Sequence, residues 1–81
     1  MGIKKVYQSI MTGTQDKSIR FKDLQSVLDA LGFKCRIRGD HFIYTFDGIP
    51  EIINIQPDKG MAKSYQVKQV RNLMAKYKME V

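Results

Sequence analysis

Residues Lys34–Gly48 read KCRIRGDHFIYTFDG, and their period decides the fold. Before this stretch apolar residues recur every three or four positions; within it they recur every second one. Lys34 to Arg38 alternates charged with apolar side chains, the pattern of a half-buried strand. Gly39-Asp40 is a turn dipeptide suited to a tight hairpin, and a second strand runs from His41 to Asp47. Asp47-Gly48 marks the next turn. Glu51 to Gln56 (EIINIQ) then predicts a third strand, stopped by Pro57.

Outward from this block the period is helical. Ile3, Val6, Tyr7 and Ile10 predict a short helix over Ile3 to Met11, with Gly13 as its stop. A loop follows from Thr12 to Ser18. Phe21, Leu24, Val27, Leu28 and Leu31 form the stripe of a second helix from Ile19 to Leu31, ended by Gly32. Ser18 or Asp16 is placed to cap its start, and the sequence does not choose between them. Ser64 to Lys78 predicts the last helix, with Val67, Val70, Met74 and Tyr77 inward and Leu73 beside them. Lys68, Arg71 and Lys76 fall on its flanks and outer side.

The expected class is α+β: a three-stranded antiparallel sheet with helices on one face and the other face open to solvent or a partner. Without its first helix the order is α-β-β-β-α, which resembles that of double-stranded-RNA-binding domains. The chain of 81 residues reads as a single domain (1–81), with 1–18 an N-terminal extension and 19–78 the core. A core this small leaves little room for a cofactor cavity, so no small-molecule cofactor is expected. No apolar run suggests a membrane span or a signal peptide. The lone Cys35 has no disulfide partner, which fits a cytoplasmic protein and a small buried thiol.

Net charge is +6, unevenly spread. Residues 59–81 carry Lys59, Lys63, Lys68, Arg71, Lys76 and Lys78 against Glu80 alone. Such a block suits a polyanion, or serves as a solvated helix face that keeps a small protein soluble.

Strand parity sends Phe42, Tyr44 and Phe46 to one side of the second strand, and His41, Ile43, Thr45 and Asp47 to the other. The aromatic side is the better core face, so His41, the single histidine, faces away from the helices. One histidine, one cysteine and scattered acids offer no metal-ligand spacing, no oriented thiol and no nucleophile elbow. There is no glycine-rich phosphate loop and no isolated carboxylate pair. One chemistry needs only a proton shuttle and positive charge: RNA strand cleavage in which the 2′-hydroxyl attacks its own phosphate. The bland alternative is a surface histidine without a role. Lys59-Gly-Met-Ala-Lys63, before the last helix, resembles the Lys-Lys-x-Ala-Lys phosphate clamp of double-stranded-RNA-binding domains, with Gly60 departing from it.

From Phe21 to Met74 the chain resembles HicA toxins, the ribonuclease component of type II toxin–antitoxin pairs. Gly39-Asp40-His41 matches the family's Gly-x-His at the start of the second strand. Leu31-Gly-Phe33, Asn54-Ile-Gln-Pro57 and Ala62-Lys-x-Tyr-Gln-Val-x-Gln-Val-Arg71 support the match in order and spacing. The resemblance implies a double-stranded-RNA-binding-like fold, mRNA cleavage without metal, and a HicB-type antitoxin that covers the site. It places the catalytic histidine at His41 and suggests supporting roles for Gly39, Asp40, Tyr65 and Gln66. Lys59, Lys63, Lys68 and Arg71 are the expected phosphate ligands. Two positions depart from the pattern: Asp40 stands where serine is common, and Phe42 where a second histidine often follows. Asp40 either orients His41 or repels the RNA. Met1 to Ser18 lies outside the pattern. Two other readings use the same surfaces: a noncatalytic RNA-binding module, and an adaptor that docks a protein on the open sheet face.

Overall fold

The first helix, α1 (Ile3–Thr12), buries Val6 and Ile10 and packs Tyr7 and Met11 beside them. It stops at Gly13, whose φ of 74° favours glycine. A side chain there would also press on the Arg71 guanidinium, 3.3 Å from the position of a Cβ. The computed structural model describes residues 2–81, so Met1 of the expected extension lies outside the described residues.

The second helix, α2 (Phe21–Leu31), begins two residues later than the apolar pattern predicts, and neither Ser18 nor Asp16 caps it. Asp16–Ser18 instead form a 3-10 turn, and the Asp16 carboxylate is taken by Arg71. The orphan amide of Phe21 is satisfied from elsewhere, by the carbonyl of Gly60 at 3.1 Å. Ala62 donates to the Ile19 carbonyl at 2.9 Å, so the loop before the last helix is tied to the start of α2. Leu24, Val27 and Leu28 are fully buried, and Gly32 ends the helix as expected.

Three strands follow, β1 (Lys34–Arg38), β2 (His41–Phe46) and β3 (Ile49–Ile55), paired antiparallel in the order β1-β2-β3. Phe42, Tyr44 and Phe46 face the helices, as parity predicts: Tyr44 is buried, Phe42 packs edge-on to Phe21, and Phe46 does the same to Phe33. β3 starts two residues earlier than expected and takes in Pro50, which an edge strand tolerates. The register slips between Tyr44 and Phe46, opposite that proline.

β1 corrects two expectations. All five of its residues are exposed, so it is not half-buried, and Cys35 is an exposed thiol. Cys35 and Ile37 do pair with Tyr44 and Phe42 on the helix side of the sheet. The helices, however, lie over β2 and β3, leaving β1 as an uncovered edge with Ile37 61% exposed.

The last helix, α3 (Ser64–Lys76), buries Val67, Val70, Leu73 and Met74, and Tyr77 packs against the same core. It ends two residues before the expected Lys78. Met79 N–H returns to Met74 O at 2.9 Å and Lys78 N–H to Ala75 O at 3.3 Å, the paired bonds of a Schellman motif. Lys78 occupies its left-handed position (φ 53°), where glycine is usual. Arg71 leaves α3 to donate to Ile10 O at 3.1 Å and Asp16 Oδ1 at 2.7 Å, joining α1, the 3-10 turn and α3.

Glu51 of β3 faces the same helix. Lys76 donates to its carboxylate at 2.7 Å and the Tyr77 hydroxyl donates to the other oxygen. These bonds, Lys76 first, lower the Glu51 carboxyl from 4.5 to about 2. A depressed acid contributes stability above its unfolded value and loses it as pH falls through the folded one. Glu51→Gln is therefore expected to be less stable than the parent near neutrality, with the gap closing between pH 4.5 and about 2. Thermal melts across that window check it; a constant gap would contradict it.

Candidate acid–base site on the open sheet face

The β1–β2 hairpin places His41. Arg38 pairs directly with His41, leaving Gly39-Asp40 as a two-residue turn. Gly39 has φ 61° at the first central position and Asp40 has none of that left-handed character, the pattern of a type II′ turn. β2 therefore begins on His41, and its ring points away from the helices, half-exposed.

The β2–β3 register supplies its neighbours. Phe42 pairs with Ile55 and Ile43 with Asn54, so Asn54 and Gln56 share the open face with His41. The Asn54 side-chain oxygen lies 3.1 Å from His41 Nδ1. Facing an acceptor, Nδ1 is the donor, which in the neutral ring leaves the Nε2 lone pair free. Nε2 lies 3.7 Å from Asp40 Oδ1.

Asp40 is itself held. Gln56 Nε2 donates to its other oxygen at 2.5 Å, and the Gln56 amide oxygen accepts from Lys63 Nζ at 3.4 Å. The Gln56 backbone amide donates to the Gln66 side chain at 3.3 Å. The Gln56 hydrogen bond, ahead of the nearby His41 and Lys63, holds the Asp40 carboxyl below its ordinary range. A fixed carboxylate thus stands 3.7 Å from Nε2, an ion-pair partner for the ring only when Nε2 carries a proton, while the Asn54 contact at Nδ1 sets the ring's orientation.

The expected site residues divide. His41, Gly39, Asp40, Lys63 and Gln66 come together. Gln66 acts from inside, only 4% exposed, as a support for Gln56. Lys59 sits at a loop tip with φ 52°, next to Gly60 at φ 82°, between the reciprocal Asp58–Met61 backbone bonds. Two left-handed central residues make this a type I′ turn, so the glycine that departs from the clamp pattern is required by the loop. Tyr65, 65% exposed, and Lys68 line a shallow depression with residues 13–18, a wall His41 does not share. Arg71 donates to Asp16 and Ile10 and is 18% exposed, so the fold engages it as a strut, away from the other expected phosphate ligands. No family model, curated protein or solved structure matches the chain.

Asn54 and Gln56 received no role from sequence reasoning, although β3 parity puts both on the face opposite the buried Ile53 and Ile55. The basic side chains of β1 were also passed over, and the charged–apolar alternation was the signal for them. Among the described residues no three His, Cys, Asp or Glu side chains are grouped to hold a metal ion, and no helix is long and apolar enough to cross a membrane.

Proposed function

We propose that the chain is a HicA-type endoribonuclease toxin on a double-stranded-RNA-binding-like fold, cleaving mRNA with His41 and restrained by a HicB-type antitoxin. The observation that carries this reading is the pairing of His41 Nδ1 with Asn54 and of Nε2 with Asp40 on an exposed face. Nε2 removes the proton of a 2′-hydroxyl, whose oxygen forms a bond to the adjacent phosphorus. The bond from phosphorus to the 5′-oxygen breaks, and that oxygen takes up a proton from solvent water. Asp40 pairs with the imidazolium that results, and Lys63, joined to Asp40 through Gln56, is the cation assigned to offset charge on the phosphoryl oxygens. The protein supplies no nucleophile, and the step requires no metal.

The test is incubation of the purified protein with mRNA in excess chelator. Cleavage that persists, with 2′,3′-cyclic phosphate and 5′-hydroxyl ends, is the expected result. Activity that vanishes with the chelator, or 5′-phosphate ends, would overturn the mechanism. Salt-sensitive binding without cleavage would instead select the noncatalytic RNA-binding module, which draws on the same exposed cations.

A further inference from the structure

The two faces of the sheet carry opposite chemistry. Cross-strand pairing with Thr45, Ile43 and His41 places Lys34, Arg36 and Arg38 on the open face. β2 adds His41, Ile43 and Thr45 to that face, and β3 adds Ile52 and Asn54. None of these strand residues is acidic. The nearest carboxylates belong to the turns: Asp40, held by Gln56, and Asp47, 3.4 Å from Lys34 in an exposed contact. Arg36 and Arg38 form no ion pair among the described residues.

We propose that the stripe Lys34–Arg36–Arg38 is a phosphate track that leads the backbone of single-stranded RNA along β1 to His41. Successive members of the stripe lie about 6.7 Å apart on an extended strand, a spacing that suits consecutive phosphates of an extended nucleic-acid strand. Arg38 pairs across the hairpin with His41, so a phosphate on Arg38 lies beside the proton-transferring ring. Guanidinium groups grip phosphate with two parallel donors, and the two unpaired positions are both arginine. The site is new beside the basic C-terminal block, and its link to cleavage rests on the ribonuclease reading above. The strand aromatics all face the helices, so this surface lacks a stacking platform for bases. Recognition here is of backbone charge, with little preference for sequence.

Cations on an edge strand also discourage pairing with other edges, and a stripe with that role alone would leave RNA affinity untouched. The experiment measures fluorescence anisotropy of a labelled 2′-O-methyl RNA dodecamer, which has no free 2′-hydroxyl and is not cut. Arg36→Gln/Arg38→Gln is compared with the parent and with Lys4→Gln/Lys5→Gln, which removes the same charge from the exposed side of α1. The arginine pair is expected to weaken binding about tenfold and to lower the log–log salt slope by about 1.4, two phosphates at 0.7 each. The lysine pair is expected to stay within about twofold of the parent at moderate salt, where exposed charges away from the contact are screened. Thermal melts confirm that each variant is folded.

Equal losses in the two double variants would overturn the track, as would an arginine pair that binds like the parent. A parent that does not bind RNA would overturn it too, and would leave the face to an acidic protein partner. A parallel cleavage assay on unmodified RNA keeps the two readings apart. Cleavage with KM unchanged in the arginine pair removes the track and keeps the nuclease. Binding lost in the arginine pair, with a parent that never cleaves, removes the nuclease and keeps the track.

Discussion

Replacing His41 by alanine is expected to lower RNA cleavage by about a hundred- to ten-thousand-fold, the usual contribution of a positioned general acid–base. The protein should nevertheless stay folded. The ring is half-exposed, and its polar contacts are confined to Asn54 and Asp40 on the open face. Surface changes of this kind usually alter stability by no more than about 0.5 kcal/mol. RNA affinity should also persist, because Lys34, Arg36, Arg38 and Lys63 remain in place. Single-turnover cleavage, anisotropy and a thermal melt on the same preparation separate the three quantities. An alanine variant that cuts RNA as fast as the parent would end the catalytic assignment.

Ile53→Ala is expected to cost about 2–5 kcal/mol, as large-to-small changes in packed cores do. That is a large share of the roughly 5–15 kcal/mol that holds a small domain together. Ile53 is fully buried and pairs with Tyr44 at the centre of the sheet. Its neighbour Ile52 is 59% exposed on the other face, and Ile52→Ala should change stability by no more than about 0.5 kcal/mol. Urea unfolding of the two variants tests the orientation of β3. Similar costs at both positions would show that Asn54 does not face His41. Because Asn54 follows Ile53 directly, the unstable variant should also cleave RNA poorly at temperatures where it remains mostly folded.

Much of the fold was legible because its determinants are local. The stripes of α1, α2 and α3 fall where 3.6-residue spacing places them, and the β1–β2 turn is set by Gly39-Asp40 alone. The end of α3 is hidden in the sequence because the left-handed residue of its cap is Lys78, and a lysine gives no sign of that conformation. The start of α2 is hidden likewise, because its first amide is satisfied by Gly60, 39 positions away in the chain. β1 was expected to be half-buried because alternation reveals which residues share a face, but not whether a helix covers it.

The candidate site divides along the same line. Its histidine was legible from parity, since the aromatic residues of β2 could only be placed on the core side. Parity also gives the face of Asn54 and Gln56, but their placement beside His41 depends on the β2–β3 register. Asp40, ambiguous between guide and obstacle, is drawn aside by Gln56 and left within ion-pair range of the ring.

The sequence by itself determined the order of elements, the tight turn before His41 and the side of the strand on which that ring stands. These follow from the sterics of a few adjacent residues and from a two-residue period that admits no compromise. The tertiary structure alone decided which cations are free. Arg71, in the most basic segment, is held by Asp16 from 55 residues away, whereas Arg36 and Arg38, within residues 33–58 where four acids outnumber three bases, form no ion pair among the described residues and stand on an open face. The availability of a charge depends on which carboxylates folding brings to it, and that is a property of the packed chain.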